Sequence, residues 1–217
     1  MTNTINLLTV PRIEAPYEAD ASDLRRIFTD CNVENLLFEP WKSGNGKAAD
    51  VAFKIFYNDD AVFLQYIVKE KYLRTAYTHT NDPVYNDSCV EFFIGFKANG
   101  EYYNFEFNAS GTPFAAFGTS KSRGLLDPSV VNRIKRYSSI SIVEDNNLPH
   151  HWELMIVIPL DVFDKDDVRS LTGITAKGNF YKCGDQLPEP HFLCWNNIQA
   201  DEPDFHRPEY FGDILFE

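Results

Sequence analysis

Basic residues are in short supply: 20 Lys and Arg stand against 32 Asp and Glu, a formal net charge of -12. Nucleic-acid backbones and anionic membranes reward a basic surface, so neither is expected as the partner. Cysteine is sparse too. Cys31, Cys89, Cys183 and Cys194 make no Cys-x-x-Cys pair and no zinc-type spacing. Cys31 and Cys89 read as buried small apolar residues, and Cys183 and Cys194 are placed to face each other across a hairpin, which leaves one disulfide open. No apolar run approaches bilayer-spanning length, and the first ten residues lack the basic start and apolar stretch of a signal peptide. The expectation is a soluble chain, cytoplasmic by default, with no membrane insertion. Signatures of serine hydrolases, P-loop and dinucleotide folds, zinc peptidases and EF-hands are missing. The five histidines, His79, His150, His151, His191 and His206, are scattered. No cofactor is required on this reading, although acidic oxygen ligands leave a structural calcium open.

What is present is aromatic and patterned. Aromatic residues make up 15% and apolar residues 44% of 217, enough for a large core. The pattern is organised around residues 81–108. Phe92, Ile94 and Phe96 alternate with Glu91, Phe93 and Gly95, and Tyr103, Phe105 and Phe107 alternate with Asn104, Glu106 and Asn108. Asn99-Gly100 between them signals a two-residue type I′ hairpin turn. That turn sets Phe92 opposite Phe107, Ile94 opposite Phe105 and Phe96 opposite Tyr103 as the core face. Glu91, Asn104, Glu106 and Asn108 then share the other face, either the wet outside of a sheet or a surface that meets a hydroxyl-rich ligand.

Around this hairpin the chain reads as short strands. Ser22 is a candidate cap for one early helix carrying Leu24, Ile27 and Phe28. Val51–Tyr57 and Val62–Val68 form a second hairpin across Asn58-Asp59-Asp60, and Trp41, before a loop at Ser43–Lys47, reads as a core plug. Residues 69–85 are a long aromatic and polar segment of the kind that carries binding residues. Lys121 to Arg136 reads as a basic solvated loop. Strands follow at 139–143 and 152–158, the latter ended by Pro159, and at 175–182, 192–195 and 211–216. Without a repeat or linker, this predicts an all-β, antiparallel, jelly-roll-like β-sandwich with one or two short helices, a single domain over 1–217.

The order of motifs resembles family 9 carbohydrate-binding modules. It runs from Asn58-Asp59-Asp60 and Val62–Tyr66 through Asn86-Asp87-Ser88-Cys89-Val90-Glu91, Tyr103–Gly111, Trp152–Leu160 and Gly178–Lys182. It closes with Cys194-Trp195-Asn196-Asn197 and Pro203–Gly212. The resemblance implies sugar binding, commonly within a larger glycan-degrading protein that is often exported. It implies a slot in which aromatic rings pack on the sugar's C–H face while amides and charged groups hold its hydroxyls. Trp195, which reads equally as ordinary core, and Tyr77, taken from among Tyr72, Tyr77 and Tyr85, are the candidate rings. Glu91, Asn104, Glu106, Asn108, Lys182 and Arg207 are the candidate polar partners.

Two other classes stay open. Glu91 and Glu106 project from neighbouring strands and could serve a glycoside hydrolase as its carboxylate pair. A protein-interaction sandwich that has lost its sugar site also fits the acidic surface.

Overall fold

The computed structural model describes residues 6–42, 47–145 and 148–217. Residues 43–46 of the loop expected at 43–47, and the first five residues, part of the stretch read for a signal peptide, lie outside them.

Two sheets face each other. The larger takes the order β1 (Leu7–Val10), β13 (Gly212–Phe216), β11 (Thr175–Cys183), β5 (Cys89–Gly95), β6 (Tyr102–Asn108), β7 (Pro113–Thr119) and β8 (Ser122–Leu125), with β12 (Phe192–Cys194) also paired to β11. The smaller runs β2 (Glu34–Asn35), β3 (Ala49–Tyr57), β4 (Ala61–Glu70), β10 (His150–Pro159) and β9 (Lys135–Ser141). Every pairing between these strands is antiparallel except β1 with β13.

Alternation decides what lies between the sheets. Phe53, Ile55, Leu64 and Tyr66 from one sheet meet Phe92, Ile94, Phe105 and Phe180 from the other in one core. Phe180 stacks between Phe53 at 4.0 Å and Phe92 at 4.8 Å between ring centroids. Truncating such a ring costs about 3–5 kcal/mol. The outer face of the smaller sheet also carries apolar residues, Phe56, Phe63, Met155 and Val157, and helix α1 (Ala21–Thr29) covers them with Leu24 and Phe28. Its N-cap is Asp20, which accepts from the backbone N–H groups of Ser22 and Asp23. The cap therefore comes two residues earlier than Ser22.

Two other expectations change. Glu91 lies opposite Glu106, Phe92 opposite Phe105 and Ile94 opposite Tyr103, a register two residues away from the one the turn implied. The strands part at Gly95 and Tyr102, leaving a wide loop. Gly100 alone of the Asn99-Gly100 pair takes positive φ, at +79°, and Asn99 uses its side-chain oxygen to accept from the Glu101 N–H. Phe96 leaves the ladder to pack edge-on against Phe163 at 5.1 Å. A shift of two preserves both faces, because side chains alternate with period two. The segment from Lys121 to Arg136 is also more than a loop: it holds β8, a helical turn α2 (Pro128–Val131) capped by Asp127, and the start of β9.

Candidate functional site

Beyond the sandwich, the outer face of the larger sheet carries a third layer of irregular chain. One part, residues 72–87, is pinned by Asn108, whose Nδ2 donates to Tyr77 O and to Asp87 Oδ2, both at 2.9 Å. Asp87 is fully buried and accepts from the Tyr77 N–H while pairing with Arg74. The other part, residues 196–211, is held by Phe205 stacked on Tyr181 at 4.2 Å and His206 stacked on Phe93 at 5.0 Å. Asn196 locks it further, donating to Tyr210 O and accepting from Asn6 N.

Between the two parts a cavity of about 210 Å³ opens onto the sheet. Its lining includes Glu91 and Glu106, directly opposite each other on β5 and β6. Tyr85, Phe192, Phe205 and His206 stand around it, with Asp185 and Asp204. That volume falls below the roughly 300–1,000 Å³ of drug-sized sites, so it suits one small ring better than a long ligand. Tyr85 is 39% exposed and leans edge-on against Phe114 at 6.5 Å, leaving ring surface open to a ligand.

The electrostatics follow from burial. Glu91 is 3% and Glu106 4% exposed. Burial, reinforced by Cys183 and by Glu106, holds the Glu91 carboxyl well above its ordinary range. Burial pushes Glu106 to about 7, although Asn104 and Arg123 pull it down. Glu91 Oε1 accepts from the Cys183 thiol at 3.0 Å. Asn104 Nδ2 donates to Glu106 Oε1 at 2.9 Å, while Glu106 Oε2 and Asn104 Oδ1 have no hydrogen-bond partner among the described residues. Buried acceptors without partners are costly. A ligand bearing hydroxyl groups would relieve that cost.

The structure sorts the sequence-derived candidates. Glu91, Asn104 and Glu106 share the face on which the cavity sits, which removes the wet-surface alternative because all three are buried. Asn108 shares that face but is bound up in pinning residues 77 and 87. Trp195 belongs to the sandwich core, 5% exposed, edge-on to Phe180 at 5.8 Å. It offers no ring to the cavity. Lys182 is also turned inward: its ammonium pairs with Glu70 at 2.8 Å and contacts His191 at 3.0 Å. Arg207 is tied to Asp204 and Glu209, and Tyr77 lies in the cover with Arg74 over its ring at 5.5 Å; neither is in the cavity lining. Trp41, read as a plug, is half-buried and donates to Ala200 O.

Tyr85, Phe192, Phe205 and His206 were not chosen from sequence. Tyr85 lies in a short 3-10 turn, Val84–Asn86, and is one of three tyrosines in a segment without a regular pattern, and Phe192 opens a strand only three residues long. All four cysteines are free. Cys194 lies opposite Tyr181 and Cys183 opposite Phe192, so the suggested disulfide pair is out of register. Cys183 instead faces Cys89. Among the described residues the one group of three side chains with metal-ligand spacing is Cys89, Glu91 and Cys183, a donor set that does not suit calcium.

A sandwich that carries a small recess of buried carboxyl and amide groups ringed by aromatic side chains is a ligand-binding β-sandwich module. The family is carbohydrate-binding family 9, to which the chain belongs: its family model matches residues 24–216. The chain is similar over 99% of its length, at 33% identity and TM-score 0.89, to the whole of a Bacteroides uniformis protein provisionally described as carbohydrate-binding. It shares its fold with a family 9 module from Caldicellulosiruptor kristjanssonii solved with glucose (TM-score 0.62, 13% identity, 98% of this chain and 96% of that one). A structure of such a module from that organism with cellotriose gives TM-score 0.61 at 13% identity, over 98% of this chain and 94% of that one. No curated protein matches the sequence. Among the described residues no helix is long and apolar enough to cross a membrane.

Proposed function

We propose that this chain binds carbohydrate without cleaving it, seating one sugar ring in the cavity over Glu91 and Glu106, in the service of glycan breakdown. The observation that carries this is the unpartnered buried acceptor Glu106 Oε2 in the lining of that recess, with Asn104 Oδ1, equally unpartnered, on the same sheet face but outside the lining. A pyranose offers hydroxyl donors to such acceptors and a C–H face to a ring. The partly exposed Tyr85 is the proposed platform, with Phe192 beside it. Glucose and cellotriose in the Caldicellulosiruptor structures make β-glucans the first ligands to try.

Calorimetry against glucose, cellotriose and a panel of other oligosaccharides tests this reading. Saturable binding is expected, weakened about tenfold, or roughly 1.4 kcal/mol, by Glu106→Gln and by Tyr85→Ala with unchanged circular dichroism. Silence across the panel, or full affinity in both variants, overturns the assignment.

One observation favours a second reading. Glu91 and Glu106 are directly opposed on neighbouring strands, the placement of a hydrolase carboxylate pair, and burial raises both carboxyls, as the general-acid member of such a pair requires. Product analysis of the same mixtures separates the two: released sugar that disappears in Glu106→Gln establishes hydrolysis, and intact ligand establishes a binder.

A further inference from the structure

Three side chains at the base of the cavity, Glu91 and Cys183 in its lining and Cys89 buried beside them, make a constellation that sugar binding does not explain. Cys89 on β5 lies directly opposite Cys183 on β11, and Glu91 follows two residues along on the same face. One donor atom from each, two sulfurs and one carboxylate oxygen, lie within 4.8 Å of one another, and the Cys183 Sγ to Glu91 Oε1 separation is 3.0 Å. We propose that Cys89, Cys183 and Glu91 bind a thiophilic divalent cation of the zinc class, with its fourth position facing the cavity.

The geometry suits that ion. Zinc takes sulfur at about 2.3 Å and carboxylate oxygen at about 2.0–2.2 Å in a tetrahedron, which sets neighbouring donors roughly 3.5–3.8 Å apart. The three donors reach that spacing by adjustments on the order of an ångström, within the reach of χ1 rotations on fixed strands. Calcium and magnesium demand more donors, all oxygen, and two thiolates select against both.

A further feature, the acceptor already offered to a sugar hydroxyl, points to a ligand at the same place. Glu106 lies across from Glu91 on the next strand, 4% exposed, lines the cavity, and has an Oε2 atom without a hydrogen-bond partner among the described residues. It stands outside the three-donor group, on the cavity side, as an acceptor for a water held in the fourth position. Lys182, the buried lysine of the neighbouring strand, points to the opposite face and is held by Glu70, so it does not occupy the position where a cation would sit. Glu91 and Cys183 both line the cavity, which supplies a path from solvent. Binding releases the two thiol protons, and the Glu91 proton where that carboxyl is protonated, as the metal–ligand bonds form. The site does not depend on the sugar reading, since its test contains no sugar.

Cobalt(II) is the probe. Protein reduced with a phosphine, stripped with a chelator and titrated with cobalt chloride should develop intense sulfur-to-metal charge-transfer absorption at one equivalent, bleached by added zinc. Cys183→Ser should lose that band and weaken uptake at least tenfold, while Cys31→Ser, which removes a thiol outside the cluster, should leave it intact. If Cys183→Ser fails to fold, Glu91→Gln replaces it, with a shifted band and weaker uptake expected. Absence of the band in reduced, folded protein overturns the proposal. So does a band that survives in Cys183→Ser, or a Cys89–Cys183 disulfide that forms in air and resists the phosphine.

Discussion

Lys182 and Glu70 are both fully buried, and each would be left as an isolated charge by loss of the other. Although burial alone would raise the Glu70 carboxyl, Lys182, His191 and Trp152 hold it down to about 2. Lys182→Met is therefore expected to lose about 3–5 kcal/mol of stability, whereas the double variant Glu70→Leu, Lys182→Met recovers much of it; urea unfolding of the three proteins measures the difference. Trp195→Ala should likewise destabilise by about 3–5 kcal/mol and show any ligand loss only as a consequence of unfolding. A folded Trp195→Ala protein that has lost sugar binding would restore the ring as a platform. Lys182 lies on β11, and Trp195 is the first residue after β12. Lys182 alternates with Tyr181 and Cys183 and so shares its face with Phe180, and Trp195 follows Cys194 on the opposite face. Period-two counting puts both inside; the family resemblance assigned Trp195 and Lys182 to the site against that count.

At the level of elements, alternation carried further than turn chemistry. The hairpin of β5 and β6 kept its faces although its register moved by two, because parity is set by the hydrophobic pattern, whereas the loop was decided by where Phe96 could pack. The helical turn and strand inside residues 121–136 were hidden because β8 is short and mostly exposed, so it has no buried face to show in a sequence. The site was half legible for the same reason. Glu91, Asn104 and Glu106 lie on strands with a clear period, whereas Tyr85 lies in a three-residue 3-10 turn and Phe205 and His206 on irregular chain, too short or too aperiodic to show a face. Strand β13 makes a further test. A Cβ on Gly212 would come within 2.4 Å of the Trp195 ring and 2.9 Å of Asn6 O. Gly212→Ala should cost about 1–3 kcal/mol, lowering Tm by roughly 2–4 °C for each kcal/mol in a chain of this size, as read by calorimetry.

For the molecule as a whole, the third layer ties stability to pH. Burial and Arg123 push His206 down to about 4, against the opposing pull of Asp204, while in the unfolded chain an imidazole titrates near 6.5. Between those values the unfolded chain binds more protons, so this residue's contribution to stability is fully present above about pH 6.5 and is lost as pH falls toward 4. Glu106, held up at about 7, acts in the reverse sense over part of that window. The His206 contribution is therefore read as the difference between wild type and His206→Asn in urea unfolding at pH 7, 5.5 and 4: the advantage of wild type should shrink steadily with acid, and a constant difference would contradict it.

The cover itself is attached differently from everything beneath it. Residues 203–207 rest on the sheet through Phe205, His206 and a hydrogen bond from the Tyr181 hydroxyl to Phe205 O at 3.2 Å, with no strand ladder of their own. Chain held that way can lift while the two sheets stay closed, a local opening of the kind that amide exchange resolves from global unfolding. The backbone amides of His206 and Arg207 should then exchange far faster than those of β5 and β6, and an occupant of the cavity should slow the first group and leave the second untouched. Occupancy would be recorded as a change in how often the roof lifts, a signal available even when affinity is too weak for heat to register.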